Sequence, residues 1–397
     1  MNNANLNFQL MAKPSGSVCN IDCTYCFYLE KSKLYPDRKN QWRMNDEVLE
    51  QYIRTNIEQQ PADVIDFIWQ GGEPTLLGLG FYKKAVMLQQ KYAGKKRINN
   101  SFQTNGLNLD DDWCQFFKQH NFLLGVSIDG DQSCNDQYRL TRSEKSTFDR
   151  LISSIKLLNK YRVDFNTLTV VNNYNVKKPI EIYEFLKSIG GYYMQFIPVV
   201  ERQAQKTTKE GLSLISPEFI GNAEVTDWSV NAVEYGHFLN TLFDHWQKKD
   251  IGKIFVMNFE QTMSQSLGFP SSCVTSETCG ANLIIEANGD IYSCDHFVYP
   301  ENKIGNLMID SIPNMLKSEN HQRFSSLKKD KISHDCLTCE FKPLCHGGCP
   351  KHRFLIDSKG LPRKSYFCDT YKIHLSHSLG KMKEILKEIR GGLKIIN

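Results

Sequence analysis

The sequence predicts an α/β fold, a parallel sheet or partial barrel of six strand–helix units, followed by a cysteine-rich segment organised by metal. Three observations lead there. Strand-like apolar runs alternate with one-faced helical patterns over the first two hundred residues. The alternation then stops. Eight of the thirteen cysteines crowd between 273 and 368, and three more fall at 19, 23 and 26.

Taken in order, strands are predicted at 8–11, 64–69, 98–103, 122–127, 165–171 and 192–197. Helices are predicted near 45–59, 81–92, 110–120, 147–161 and 177–189, and the fourth of these repeats Phe148, Leu151, Ile152, Ile155 and Leu158 on one face. In such folds a ligand binds beyond the C-terminal ends of the strands. Residues 201–230 turn polar, with Thr207-Thr208-Lys209-Glu210-Gly211 and Pro217, and read as a connecting segment or lid. A helix is predicted at 231–249. From about 270 to 370 the chain is turn-rich with little periodicity, too poor in apolar residues for a core of its own, so metal ligation is expected to fold it. A last helix at 371–389 sets Leu375, Leu379, Met382 and Leu386 on one face to pack back on the body. The predicted organisation is a barrel domain at 1–200, a connecting segment with a helix at 201–270, a cysteine-rich domain at 271–370 and a terminal helix at 371–397.

Composition removes several classes. Over 397 residues, 41% hydrophobic and 23% charged residues describe an ordinary globular chain rather than a disordered one. A net charge of +4, scattered along the chain, gives no nucleic-acid footprint. No apolar run reaches the roughly 18 residues of a membrane span. Met1 to Met11 has neither a basic start nor a long apolar run, which argues against a secretory leader. The expectation is a cytoplasmic protein whose thiols stay reduced, so patterned cysteines read as metal ligands rather than disulfides.

Cys19-x3-Cys23-x2-Cys26 follows the first predicted strand. Three thiolates leave a four-iron cube one ligand short, and the open iron can take an external ligand. Zinc sites, the alternative, usually use paired C-x2-C knuckles with four ligands. Gly71-Gly72-Glu73-Pro74 follows the second strand; consecutive glycines let a ligand approach bare backbone, and Glu73 offers an anion to a ligand ammonium. Alone it would read as a turn with a solvated glutamate. The later cysteines, Cys273-x5-Cys279-x14-Cys294 and Cys336-x2-Cys339-x5-Cys345-x3-Cys349 with Cys368, make two complete sets of four. Two zinc sites satisfy the same count; the company of a first site that needs an electron path favours further iron–sulfur centres.

These motifs resemble those of the radical S-adenosylmethionine (SAM) enzymes. The resemblance implies that Cys19, Cys23 and Cys26 hold a [4Fe–4S] cluster, that Tyr25 lies beside it on the adenine, and that the Gly71-Gly72-Glu73 motif binds the methionine amino group. The C-terminal segment resembles the SPASM domain, which implies interleaved ligand sets: Cys273, Cys279, Cys294 and Cys349 for one auxiliary cluster, Cys336, Cys339, Cys345 and Cys368 for the other. Ala12-Lys13-Pro14-Ser15, Thr24-Tyr25-Cys26-Phe27-Tyr28, Trp69-Gln70-Gly71-Gly72-Glu73-Pro74-Thr75-Leu76, Gln103-Thr104-Asn105-Gly106, Ser127-Ile128-Asp129-Gly130 and Cys294-Asp295 follow in order. Together they look like the anaerobic sulfatase-maturating enzymes, from about residue 8 to 372. That family implies a partial (β/α)6 TIM-like barrel with a SPASM domain, three [4Fe–4S] clusters, and SAM contacts from Ser127, Arg139 and Val200. Its substrate is a sulfatase polypeptide, in which a cysteine or serine is oxidised to Cα-formylglycine by a 5′-deoxyadenosyl radical, and its electron donor is a protein such as flavodoxin or ferredoxin. Asp295 matches the family's catalytic base; without the resemblance it would read as an aspartate accepting backbone hydrogen bonds after a strand.

Other residues read more plainly. Cys114 fits a buried core thiol on a helix, and Cys134 lies in a polar loop with no evident partner. His296 and His346 neighbour cluster cysteines and read as partly exposed side chains, while Tyr28 and Gln70 fit the wall of a peptide site. Two rival functions share parts of this pattern: a SPASM enzyme that cross-links a ribosomal peptide, and a non-catalytic, metal-stapled electron-transfer or interaction protein. The second has no use for an open three-cysteine loop.

Overall fold

Each predicted strand forms, and the six follow one another across the sheet in chain order. They are β1 (Gln9–Lys13), β2 (Val64–Trp69), β3 (Arg97–Thr104), β4 (Phe122–Ser127), β5 (Phe165–Val171) and β6 (Tyr193–Pro198). Every neighbouring pair is parallel, and the crossovers carry α1 (Asp46–Glu58), α2 (Leu79–Tyr92), α3 (Asp111–Gln119), α4 (Phe148–Tyr161) and α5 (Pro179–Ser188). With α6 (Ala232–Lys249) after the last strand, this is a partial (β/α)6 barrel. The computed structural model describes residues 8–35, 42–206, 208, 210–219 and 221–393; residues 1–7, at the end read for a leader, and Thr207 and Lys209 of the connecting segment lie outside the described residues.

The local reasons are ordinary. Along β5 every second residue is buried, the period-two pattern of a strand. Helix α4 buries Leu151, Ser154, Ile155 and Leu158 at helical spacing and stops where Arg162 turns left-handed. Asn45 and Asp110 cap α1 and α3 by accepting from the amides of Val48 and Trp113. Under β2 and β3 a run of aromatic rings fills the layer between sheet and helices: Phe102 meets Tyr82, Trp113, Phe117 and Phe122 at centroid distances of 5.0–6.5 Å.

The cysteine-rich segment departs from expectation. The sheet continues past β6 with β7 (Phe255–Val256), and past β1 with β8 (Asn282–Glu286), β9 (Asp290–Tyr292) and β10 (Lys303–Asn306). β8 pairs parallel with β1 from Gln9↔Asn282 to Lys13↔Glu286, and β9 and β10 add antiparallel strands. The sequence reading gave this stretch no strand. In β8 the four residues Leu283 to Glu286 are all buried, so no alternation marks it. Leu283, Ile285 and Ile291 share one core with Leu10 and Ala12, so this segment leans on the barrel's apolar interior as well as on its cysteines. The final helix, α7 (Cys368–Leu393), packs along α6, where Gly236 lets Ile373 come close. No helix among the described residues is long and apolar enough to cross a membrane.

Phe102→Ala should cost about 3–5 kcal/mol by removing a fully enclosed ring. A fall in the urea midpoint at unchanged slope is the expected measurement.

Candidate active site

A cavity of about 430 Å3 opens at the C-terminal ends of the barrel strands. Its wall takes Cys19, Cys23, Tyr25 and Cys26 from the loop after β1, Gly71 and Gly72 after β2, Asn105 after β3, Ser127 at the end of β4, and Gln195 through Val200 along and beyond β6. Arg139, Asp295, His296 and Cys349 close it from other directions. The fold therefore brings together most of the residues singled out from the sequence.

The cysteine loop is held from two sides. Ile21–Cys23 pairs antiparallel with Arg139–Thr141, which sets Arg139 opposite Cys23. On the other side the amide of Gly72 donates to the Gly16 carbonyl at 2.8 Å and that of Glu73 to the Val18 carbonyl at 2.9 Å. A Cβ on Gly72 would lie 2.0 Å from the Val18 oxygen, and Gly71 has φ +136°. The two glycines thus admit the backbone of the cysteine loop, while their other side lines the cavity.

Glu73 lies behind this contact and does not line the cavity. It is fully buried; Oε1 accepts from the Thr75 amide and from the hydroxyls of Thr75 and Thr104, and Oε2 accepts from the Asn105 amide at 2.8 Å. Burial raises its carboxyl, and these bonds offset only part of that. Its carboxylate ties the loop after β2 to the loop after β3.

Tyr25 is anchored through its hydroxyl, which donates to Asp129 Oδ2 at 2.6 Å and accepts from Arg139 Nη1 at 3.0 Å. Asp129 Oδ1 in turn accepts from the Val170 amide at 2.9 Å. All three side chains are buried. Asp129 was not singled out as a site residue, although its Ser127-Ile128-Asp129-Gly130 motif was. Burial pushes the thiols of Cys19 and Cys23 up to about 11 and about 12, so metal binding there must displace protons.

Opposite the loop stands Asp295. Its Oδ1 forms an ion pair with Lys13, a lysine only 2% exposed, while its side chain keeps 23% exposure. The Lys13 ammonium also donates to Gln70 Oε1 at 3.3 Å and lies 4.0 Å from the ring centre of Tyr28. Burial would raise the Asp295 carboxyl, but the Lys13 ammonium beside it, with Lys351 adding to it, outweighs burial and holds it below the usual range. The Tyr28 hydroxyl bonds Glu286, the register neighbour of Lys13. His296 packs its ring 5.0 Å from Phe27, and Lys351 pairs with Glu201 at 2.5 Å. Lys13 is not among the site residues read from the sequence, although its Ala12-Lys13-Pro14-Ser15 motif belongs to the resemblance; the predicted strand, 8–11, stops short of it, whereas β1 runs on to Lys13.

The eight later cysteines form two spatial groups. Cys336, Cys339, Cys345 and Cys368 line one small pocket. Cys273, Cys279, Cys294 and Cys349 lie near enough that their charges act on one another. Cys349 thus sides with residues far away in sequence rather than with Cys345. Cys114 and Cys134 are both fully buried and outside these groups; Cys134 packs beneath Gly130. Among the described residues no three His, Cys, Asp or Glu side chains converge on a point as the ligands of a single metal ion do. The donors are all sulfur, and two buried cations beside them, Lys328 and Arg353, bond only carbonyls. Such an environment fits an anionic iron–sulfur group.

Fold and site define a radical SAM enzyme with an iron–sulfur domain: residues 14–186 match the family model of the radical SAM superfamily, and residues 273–340 match that of the SPASM iron–sulfur cluster-binding domain. The chain is 40% identical over 381 residues to a serine-type anaerobic sulfatase-maturating enzyme of Bacteroides thetaiotaomicron, covering 96% of this chain and 91% of the relative. A cysteine-type enzyme of Clostridium novyi is 32% identical, covering 96% and 98%. A solved structure described as native anSMEcpe with bound AdoMet and Cp18Cys peptide superposes with a TM-score of 0.83 at 28% identity, covering 96% of this chain and 99% of that one. The chain belongs to the family of anaerobic sulfatase-maturating enzymes. It is an enzyme whose cofactors are iron–sulfur clusters and SAM.

Gly72→Ala forces the cysteine loop off its seat. Anaerobically reconstituted variant protein should lose the iron of the first loop and retain that of the C-terminal groups, as read by iron content.

Proposed function

We propose that the enzyme oxidises a peptidyl serine or cysteine of a sulfatase to Cα-formylglycine. The observation that carries this reading is Asp295, held by buried Lys13 at the edge of the same cavity that the three-cysteine loop lines. Higher identity to serine-type relatives (40% and 35%) than to a cysteine-type one (32%) favours serine.

Cys19, Cys23 and Cys26 would hold the first [4Fe–4S] cluster; Cys273, Cys279, Cys294 and Cys349 the second; Cys336, Cys339, Cys345 and Cys368 the third. When bound, these groups and SAM supply a 5′-deoxyadenosyl radical that takes a hydrogen atom, and an outlet for one further electron. The chain's own residues do the rest. Gly71 and Gly72 offer backbone to the amino-acid end of SAM, with Glu73 fixing them from behind. Tyr25, Ser127, Arg139 and Val200 frame its nucleoside end, Tyr25 being pinned by Asp129 and Arg139. The cavity keeps bulk water from the reacting carbon. Tyr28 and Gln70 line the peptide side. Asp295, whose Oδ1 is paired with Lys13, receives the proton from the substrate hydroxyl or thiol as Cβ is oxidised; serine then stands as the aldehyde, and cysteine as a thioaldehyde that water hydrolyses with release of sulfide.

Asp295→Asn should keep all iron and still cleave SAM, yet lower aldehyde formation at least about 10²-fold; product mass on a serine-containing sulfatase peptide and 5′-deoxyadenosine yield measure the two separately. Normal aldehyde yield removes Asp295 from the mechanism. Lys13→Met should behave similarly: with a Cβ-deuterated serine peptide, deuterium still reaches 5′-deoxyadenosine while aldehyde falls. Cys23→Ala should abolish SAM cleavage altogether, and a variant that still yields 5′-deoxyadenosine defeats the assignment of the first cluster.

A further inference from the structure

Two cations are buried among the later cysteines, and no carboxylate among the described residues neutralises either. Arg353, 9% exposed, engages all five of its N–H groups with backbone carbonyls: Nε with Gly347, Nη1 with Lys328 and Lys331, and Nη2 with His346 and Gly348, at 2.6–3.3 Å. Lys328 is fully buried and gives its ammonium to the carbonyls of Cys273, Val274 and Ser276. Carbonyls orient toward a cation but carry no net charge. A buried ion left in that state is strongly unfavourable, so its counter-charge comes from what the cysteines hold.

The two cations differ in what they face. Lys328 is acted on by Cys279, Cys349 and Cys273, cysteines all of one group, and by Arg353. Arg353 is acted on by Cys349 and Cys279 of that group and by Cys336 and Cys345 of the other. The turn between Cys345 and Cys349 explains the placement. Gly347 and Gly348 have φ of +72° and +68°, a left-handed run that points three successive carbonyls, from His346 to Gly348, at the guanidinium. A Cβ on Gly347 would touch Arg353 Nη2 at 3.0 Å and Cys336 Sγ at 3.5 Å, so the turn has room only for a glycine between cation and sulfur.

Resting on the ligand sets proposed above, we infer that Arg353 is a counter-ion shared by both auxiliary clusters and raises their reduction potentials together, while Lys328 acts on one cluster alone. Reduction adds negative charge to a cluster, and a fixed cation nearby in a dry environment stabilises that form. A cation between two such centres lets an added electron reside on either with little electrostatic difference.

The test uses the full-length chain with Cys19, Cys23 and Cys26 replaced by alanine and reconstituted anaerobically, so that only the auxiliary clusters titrate. Iron is counted first: iron for two cubes sustains the ligand sets, and its absence overturns them and this inference together. A redox titration followed by electron paramagnetic resonance then reads both midpoints. Arg353→Gln should shift both to lower potential, Arg353→Lys should leave both near their starting values, and Lys328→Met should shift one. Unmoved midpoints in Arg353→Gln at full iron content, or movement of one midpoint only, overturn the inference while leaving the ligand sets standing. Should Arg353→Gln shed iron, retention by Arg353→Lys supports the charge role, and loss from both shows that the hydrogen-bonding frame rather than charge is at issue and overturns it.

Discussion

The parallel pairing of β1 with β8 is the contact on which the site depends. β1 leads directly into the three-cysteine loop, and the β8–β9 hairpin leads into Cys294 and Asp295. Their shared register, ending at Lys13↔Glu286, sets one half of the cavity against the other. The strands lie far apart in the chain, yet loop-closure entropy grows only with the logarithm of separation. Burial of Leu10, Ala12, Leu283 and Ile285 in one core offsets it. Both cysteine-bearing parts of the molecule are therefore fixed to the same rigid sheet, which is what chemistry on an unactivated carbon needs.

Position, rather than stability, is what the buried polar groups around the cavity provide. An enclosed ion pair seldom stabilises a fold against an apolar substitute, because desolvation consumes the Coulomb gain. Lys13 with Asp295 is such an ion pair; Arg139 and Asp129 share the Tyr25 hydroxyl, and Glu73 is a buried carboxylate held by four neutral donors. Each ties together segments distant in sequence. Lys13 alone reaches the loop after β2 through Gln70, the cysteine loop through Tyr28 and the C-terminal segment through Asp295. Removing one partner leaves a charge without its neighbour, so these groups hold one arrangement and penalise others.

The barrel was legible because its strands and helices carry period: β5 alternates, α4 repeats at helical spacing, and loops with capping residues punctuate them. β8 was not, since a strand buried on both faces shows only a short apolar run. Cys134, read as a polar-loop residue, is fully buried, because it sits on a short helix, Gln132–Asn135, that turns its side chain in against Gly130. Glu73 was legible as a site residue, but its orientation was not: the sequence offers an acidic group beside two glycines, and only the fold turns that group inward to Thr75, Thr104 and Asn105.

By itself the sequence determined the chemistry's vocabulary: an alternation of strands and helices, a loop with three thiols where a cube takes four, and eight more thiols in countable sets. Those features are local, written in covalent spacing and hydrophobic period. Tertiary structure decided which partner each group meets: Lys13 for Asp295, Asp129 for Tyr25, and a carbonyl crown for Arg353. Such contacts arise from the register of strands far apart in the chain, and spacing along a polymer does not encode which distant residue a side chain will face.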